Sequence, residues 1–278
     1  MNMLNTGSRS EMTSRVHSVY LPLDFMTKRA KSIAVAVLVL LSYTAAPALA
    51  QAPPTAKGVL DQMIEALGGR AFLNVKEIQT NGRFFTFRRD EVAASDLYAD
   101  FIRFPDAERT EFGREKQKRV QINRGKEGWN VNPPASGKAK DPADVKEQSQ
   151  AEVDDFLENF KTSFDYMLRF VVNTPKTTLL LAGTETVEYK RTDILEIRDT
   201  AKNLLRVYVD RETHLPVKTQ MRRTDNSVVH EETYANWHKF DDVMTPLMVV
   251  RYKAGVKTME IRPEKVAYDP GLADSLFA

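Results

Sequence analysis

Along this chain the hydrophobic positions change period. Val59, Leu60, Met63, Ile64 and Leu67 recur at helical spacing and form one apolar stripe. Gly68-Gly69 follows as a left-handed stop. A short amphipathic helix is therefore predicted, packing on something broad. From Ile78 the pattern becomes that of strands. Segments 78–87, 97–104 and 119–123 are rich in β-branched and aromatic residues. In the last, Val120 and Ile122 alternate with Arg119, Gln121 and Asn123, which gives one dry face and one wet face. Segment 127–131 is a short strand stopped by Pro133-Pro134, and a polar loop runs over 133–141. Asp141 is placed to cap a helix, Pro142 suits its first position, and Asp144 and Glu147 favour the positive end of its dipole. The pattern extends this helix to Val171, with Phe156, Phe160, Phe164, Met167, Leu168 and Val171 along one face. Strands resume at 178–181, 186–191, 194–198, 204–209, 215–221, 228–237, 247–252 and 257–268, separated by turn signals such as Asp241-Asp242 and Ala254-Gly255.

Short turns imply consecutive antiparallel pairing, and the pattern predicts about eleven strands and two helices. Strand twist accumulates across such a sheet, so it must curl, split or close. The expected fold is mainly β (α+β). A curved antiparallel sheet forms a part-closed barrel, with the short N-terminal helix and the long inserted helix laid over its concave face. Imperfect filling of that face leaves an apolar cavity. Helices capping a fully packed core are the alternative. No composition break, repeat or linker interrupts residues 51–278, which are expected to form one domain.

The first fifty residues follow a different logic. Lys28, Arg29 and Lys31 precede an unbroken apolar run from Ile33 to Leu41, and a small-residue stretch ends at Ala48-Leu49-Ala50. This order reads as a cleavable secretory signal over 26–50, cut near Ala50. Nine strongly apolar residues are too few for the ~20 that span a bilayer. Residues 1–25 are polar and unpatterned, and Met26 makes a normal start, so they read as an over-extended gene start. The whole chain carries 40 Lys+Arg and 38 Asp+Glu, a balance that gives no support for nucleic-acid binding through a bulk basic field. The complete absence of Cys excludes thiol catalysis, Cys-ligated metal centres and a lipobox anchor. The expected location is periplasmic.

Several segments together resemble the periplasmic lipoprotein-carrier superfamily, the LolA/LolB-like fold. A leading helix ends in Ala66-Leu67-Gly68-Gly69 and precedes a strand carrying Gly82. Next come Phe101-Ile102-Arg103-Phe104-Pro105-Asp106, the Gly128-Trp129 hairpin with Pro133 after it, and a closing segment from Val266 to Phe277. The resemblance implies an unclosed half-barrel with a helical lid around a hydrophobic cavity. It also implies non-catalytic binding of lipid or lipoprotein acyl chains without cofactor, in lipid or lipoprotein sorting to the outer membrane. One departure is specific. The classical carrier has Arg directly before this Pro, where it helps gate the lid; here Phe104 holds that place and Arg103 lies one residue earlier. One residue along a strand reverses the face, so the gating role does not carry over to Arg103.

The expected cavity residues are Phe84, Phe101, Trp129, Phe156, Phe160, Phe164, Met167, Met221, Trp237 and Met248. Simple core packing is the alternative for each. No catalytic residue is assigned: G-x-S-x-G, H-E-x-x-H and P-loop patterns are absent. No metal is expected either, because His230 and His238, eight residues apart, stand ~26 Å apart on one strand. Expected partners are acyl chains and a transfer partner at the inner or outer membrane, with no nucleic acid, and the protein is expected to be a monomer. A filled-core envelope interaction module and a hydrolase on the same curved sheet are the rival readings.

Overall fold

Thirteen strands pair in one antiparallel sheet. They are β1 (Glu77–Arg88), β2 (Glu91–Arg103), β3 (Ala107–Phe112), β4 (Arg119–Arg124), β5 (Glu127–Asn132), β6 (Asp144–Glu147), β7 (Thr178–Val187), β8 (Lys190–Arg198), β9 (Leu204–Asp210), β10 (Pro216–Arg222), β11 (Val229–Phe240), β12 (Val243–Lys253) and β13 (Val256–Tyr268). The spatial order is β6-β5-β4-β3-β2-β1-β13-β12-β11-β10-β9-β8-β7, so every neighbour is a sequence neighbour except β1 and β13. That single long-range pairing, with Ile78 opposite Tyr268, joins the two halves of the chain. The computed structural model describes residues 53–114, 117–134, 136, 141–224 and 227–278. The leader expected over 1–50 lies outside them. No helix among the described residues is long and apolar enough to cross a membrane.

The turns explain why this sheet curls. Arg89-Asp90, Glu188-Tyr189, Asp241-Asp242 and Ala254-Gly255 all have positive φ at both residues. Two-residue turns of this kind match the right-handed twist of the strands they join. Gly82 adds a bend in β1. It sits at a register shift opposite β13, and a Cβ there would come within 2.1 Å of the Arg262 carbonyl oxygen. The result is an unclosed half-barrel.

Helix α1 (Ala56–Leu67) starts at Thr55, whose hydroxyl accepts from the Gly58 amide at 3.0 Å. It buries Val59, Leu60, Met63 and Leu67, the stripe that the spacing predicts. It stops at Gly68, with φ 123°. Helix α2 (Arg70–Asn74) follows. On the sheet these helices meet Leu195, Ile197, Leu205 and Val207, all essentially inaccessible.

The long helix expected over 141–171 is not continuous. Residues Asp144–Glu147 instead form β6, an edge strand whose side chains are all exposed. Helix α3 (Gln150–Lys161) begins at Ser149 rather than Asp141. Ser149 and Glu152 form a reciprocal capping box, which satisfies two amides that the Asp141 start would leave to water. After Thr162 the chain breaks and restarts as α4 (Phe164–Tyr166), capped by Ser163, and continues as a π-helical turn over Met167–Val171. Arg169 on that turn is almost fully buried. Its guanidinium donates to the Phe72 carbonyl at 3.0 Å, lies over the Phe72 and Phe104 rings and pairs with Asp165.

The strand count exceeds the expected eleven because β3 and β6 carry weak apolar signals. The expected strand 186–191 also straddles the Glu188-Tyr189 turn. A short 3₁₀ helix (Asp274–Phe277) ends the chain and packs on the other face of the sheet, over β3 and β4. Truncating Met63 to Ala removes a fully buried side chain between helix and sheet. We expect a loss of about 2–5 kcal/mol, read by urea denaturation; a loss below about 1 kcal/mol would contradict this packing.

Candidate functional site

Strand pleating sorts side chains onto two faces, and the register extends that sorting across the sheet. Ile78, Thr80 and Phe84 of β1 share a face with Ile102, Asp100 and Tyr98 of β2. The same face carries Glu108, Thr110 and Phe112 of β3, then Arg119, Gln121 and Asn123 of β4, then Asn130 and Asn132 of β5 and Lys146 of β6. In the other direction it carries Met259 and Ile261 of β13, Val249 and Arg251 of β12, and Glu232 and Tyr234 of β11. Farther on it carries Thr219 and Met221 of β10 and the apolar rows of β9 and β8. Because Ile78, Leu195 and Val207 bury against α1, this is the helix-covered, concave face.

The curl brings distant strands together. The Phe84 and Phe112 rings meet edge-on at 5.1 Å across the intervening β2. Met259 and Lys146 line one groove of about 440 Å³, although six strand spacings, ~29 Å on a flat sheet, separate β13 from β6. Phe84, Phe112 and Met259 form its apolar wall. Its polar wall holds Arg119, Gln121, Asn130, Asn132 and Lys146.

Farther along the same face lies a polar cluster. Thr110 donates to the Asp100 carboxyl at 2.9 Å, and Asp100 and Glu108 hydrogen-bond one another. Burial pushes the Asp100 carboxyl up to about 6, against the pull of Thr110 and Arg251. Burial and the neighbouring Asp100 hold Glu108 well above the ordinary carboxylate range. Arg251 donates to Glu232 at 2.7 Å, and the Tyr234 hydroxyl donates to the other Glu232 oxygen at 2.8 Å. Burial and Glu232 together push the Tyr234 hydroxyl up. The Arg251 side chain remains 51% accessible although it stands inside the concavity among these groups. The hollow is therefore open to solvent-sized molecules at this position.

No family model matches this sequence, and no curated protein matches it either. Solved structures do. A DUF1329 family protein from Desulfovibrio piger superposes with a TM-score of 0.53 at 16% identity, covering 81% of this chain and 98% of that one. A LolA superfamily protein from Nitrosomonas europaea superposes with a TM-score of 0.51 at 13% identity, over 81% and 98% of the two chains. The chain has the LolA/LolB-like fold.

On this LolA/LolB-like frame the ten expected cavity residues separate into groups. Phe84 lines the groove. Phe156 and Phe160 of α3 stack at 5.5 Å and join Phe104, Tyr166 and Phe170 in a continuous aromatic cluster. Phe164 packs on Tyr234 at 5.9 Å. Met167 is wholly buried in the core, with Met221 and Trp237 at its margin. The positive φ of Asn236 resets the alternation of β11, so Tyr234 and Trp237 contact each other at 6.0 Å. Phe101, Trp129 and Met248 fall on the convex face by register, opposite Arg109, Ile122 and Ala235. Arg103 also falls on the convex face. There it donates to Glu77 at 2.8 Å and Asp274 at 2.7 Å, a structural tie to the C-terminus rather than a place at the lid.

The polar residues of the concave face are not among the ten expected from the sequence. Their signal lies in 119–123, where alternation marks one wet and one dry face. The dry side, Val120 and Ile122, turns out to be convex, beneath the C-terminal 3₁₀ helix. The wet side, Arg119, Gln121 and Asn123, faces inward.

The raised Asp100 carboxyl has a consequence for stability. Its proton is held more tightly in the folded than in the unfolded chain. The stability it contributes is full below its ordinary value of 3.8 and is lost as pH rises through about 6. Asp100→Asn removes that loss. Urea denaturation at ~pH 4 and ~pH 7.5 should show wild type losing more stability on the upward step than the variant; parallel behaviour would contradict a raised Asp100 carboxyl.

Proposed function

We propose that the protein is a non-catalytic periplasmic carrier of an acyl-chain lipid or lipoprotein, acting in transfer toward the outer membrane. The observation that carries this reading is the accessible groove on the concave face, whose apolar wall is Phe84, Phe112 and Met259. Helix α3 brings Phe156 and Phe160 to the aromatic cluster. Midway along it Asp155 and Glu158 pair with Arg223 at 2.8 Å and 3.4 Å, and Val153 and Phe160 are buried. A break follows at Thr162-Ser163, so α3 joins the packed π-helical turn through a hinge-like restart.

The work of binding in this reading is burial. Each methylene moved out of water contributes roughly 0.8 kcal/mol, so a single long chain binds without directional contacts. Release follows from lifting α3 or from handing the chain to a drier groove. The periplasmic location rests on the basic, apolar and small-residue order of residues 26–50. The LolA superfamily likeness supports the fold on which the reading stands.

Native mass spectrometry of protein exported to a bacterial periplasm tests this. Lipid-sized adducts are expected, with displacement by a fluorescent fatty acid. Phe84→Glu should weaken that probe at least tenfold by placing a charge on the apolar wall. A clean apo mass with no probe binding would instead favour an interaction module with a filled core.

A further inference from the structure

Building on the carrier reading, we propose that the groove between β1, β3–β6 and β13 seats the anionic headgroup of a single-chain amphiphile, a carboxylate or phosphate, with Arg119 as its principal contact. The groove is divided chemically. One wall is apolar (Phe84, Phe112 and Met259), and the other carries two cations and three side-chain amides. The two cations are not equivalent. Lys146 is already 3.0 Å from Asp144, whereas Arg119 has no carboxylate within ion-pair distance among the described residues. A guanidinium offers a planar fork of donors that matches carboxylate and phosphate oxygens in pairs. Gln121 and Asn130, cross-strand partners on the same face, add N–H donors beside it, and Asn132 lines the same groove.

The same face sets where the two ends of the amphiphile go. Asp96 lies opposite Phe84 beside the apolar wall, Asp144 on β6 is taken up by Lys146, and Arg251 beside Met259 is taken up by Glu232, so among the described residues Arg119 on β4 is the cation of this face left to hold an anion. From Phe84 and Met259 the concave face continues through Ile261 and Val249, an apolar path for the chain leading away from the headgroup. An amphiphile with a cationic head meets Arg119 and Lys146 in the wrong sign. A free anion forgoes the apolar wall entirely.

Calorimetric titration with dodecanoate, dodecyl phosphate, dodecyltrimethylammonium and inorganic phosphate, all below micelle concentrations, tests the proposal. The two anionic amphiphiles should bind at least tenfold more tightly than the cationic one, and inorganic phosphate should not compete. Arg119 is exposed, so Arg119→Glu should leave the thermal midpoint unchanged while weakening both anionic amphiphiles at least tenfold. Equal affinity for all three dodecyl compounds, with Arg119→Glu silent, would overturn the headgroup assignment and leave the carrier reading standing. Phosphate binding as tightly as dodecyl phosphate would overturn the amphiphile. Failure of every dodecyl compound to bind wild type would overturn both readings.

Discussion

A single sheet of thirteen strands has two faces to protect and only a few short helices with which to do so. Twist resolves this by bending the sheet toward one face. Four two-residue turns with left-handed backbone, and a glycine at the bend of β1, set that bending locally. Everything else in the molecule follows from which residues end up inside the bend. At the β7–β10 end the inside is apolar, and α1, α2 and the π-helical turn close over it. At the β13–β6 end the inside is mixed, and Phe84 and Phe112 reach across β2 to narrow it without filling it.

This division gives each half a separate role. The apolar half holds the fold together, since Met63, Met167, Leu168, Leu195, Ile197 and Val207 have almost no accessible surface. The polar half contributes less burial and more chemistry. Its carboxyls at Asp100 and Glu108 are kept from ionising freely by their surroundings, and its cations at Arg119 and Arg251 are left in reach of solvent. A protein selected only for stability would gain from replacing such groups by packed apolar residues. Their placement opposite an apolar wall suits recognition of a ligand that is itself divided in polarity.

Much of the fold was legible in the sequence. The α1 stripe from Val59 to Leu67, its Gly68 stop, the antiparallel order and the curved half-barrel all follow from period and twist. The boundaries that failed did so for physical reasons. Asp141 and Pro142 look like a helix start, but the Ser149–Glu152 box is the better cap, and the segment before it is recruited as an edge strand by backbone pairing alone. The site was less legible. Alternation in 119–123 separates two faces but does not say which one is concave, because the curvature is a property of all thirteen strands. Trp129 and Met248 are large and apolar, so they read as cavity lining. Register puts them on the convex face, Trp129 opposite Ile122 and Met248 opposite Ala235. The aromatic cluster of Phe156 and Phe160 with Phe104 joins residues some fifty positions apart in sequence, which no local pattern reveals.

The sheet folds over far enough to bring β6 and β13 to opposite walls of one hollow. The chain has no cysteine, so spin labels can be placed cleanly at Lys146→Cys and Met259→Cys. A pulsed dipolar measurement should return a separation well under the ~29 Å that six flat strand spacings span. A distance at or beyond that span would mean an open, flattened sheet with no groove between those strands.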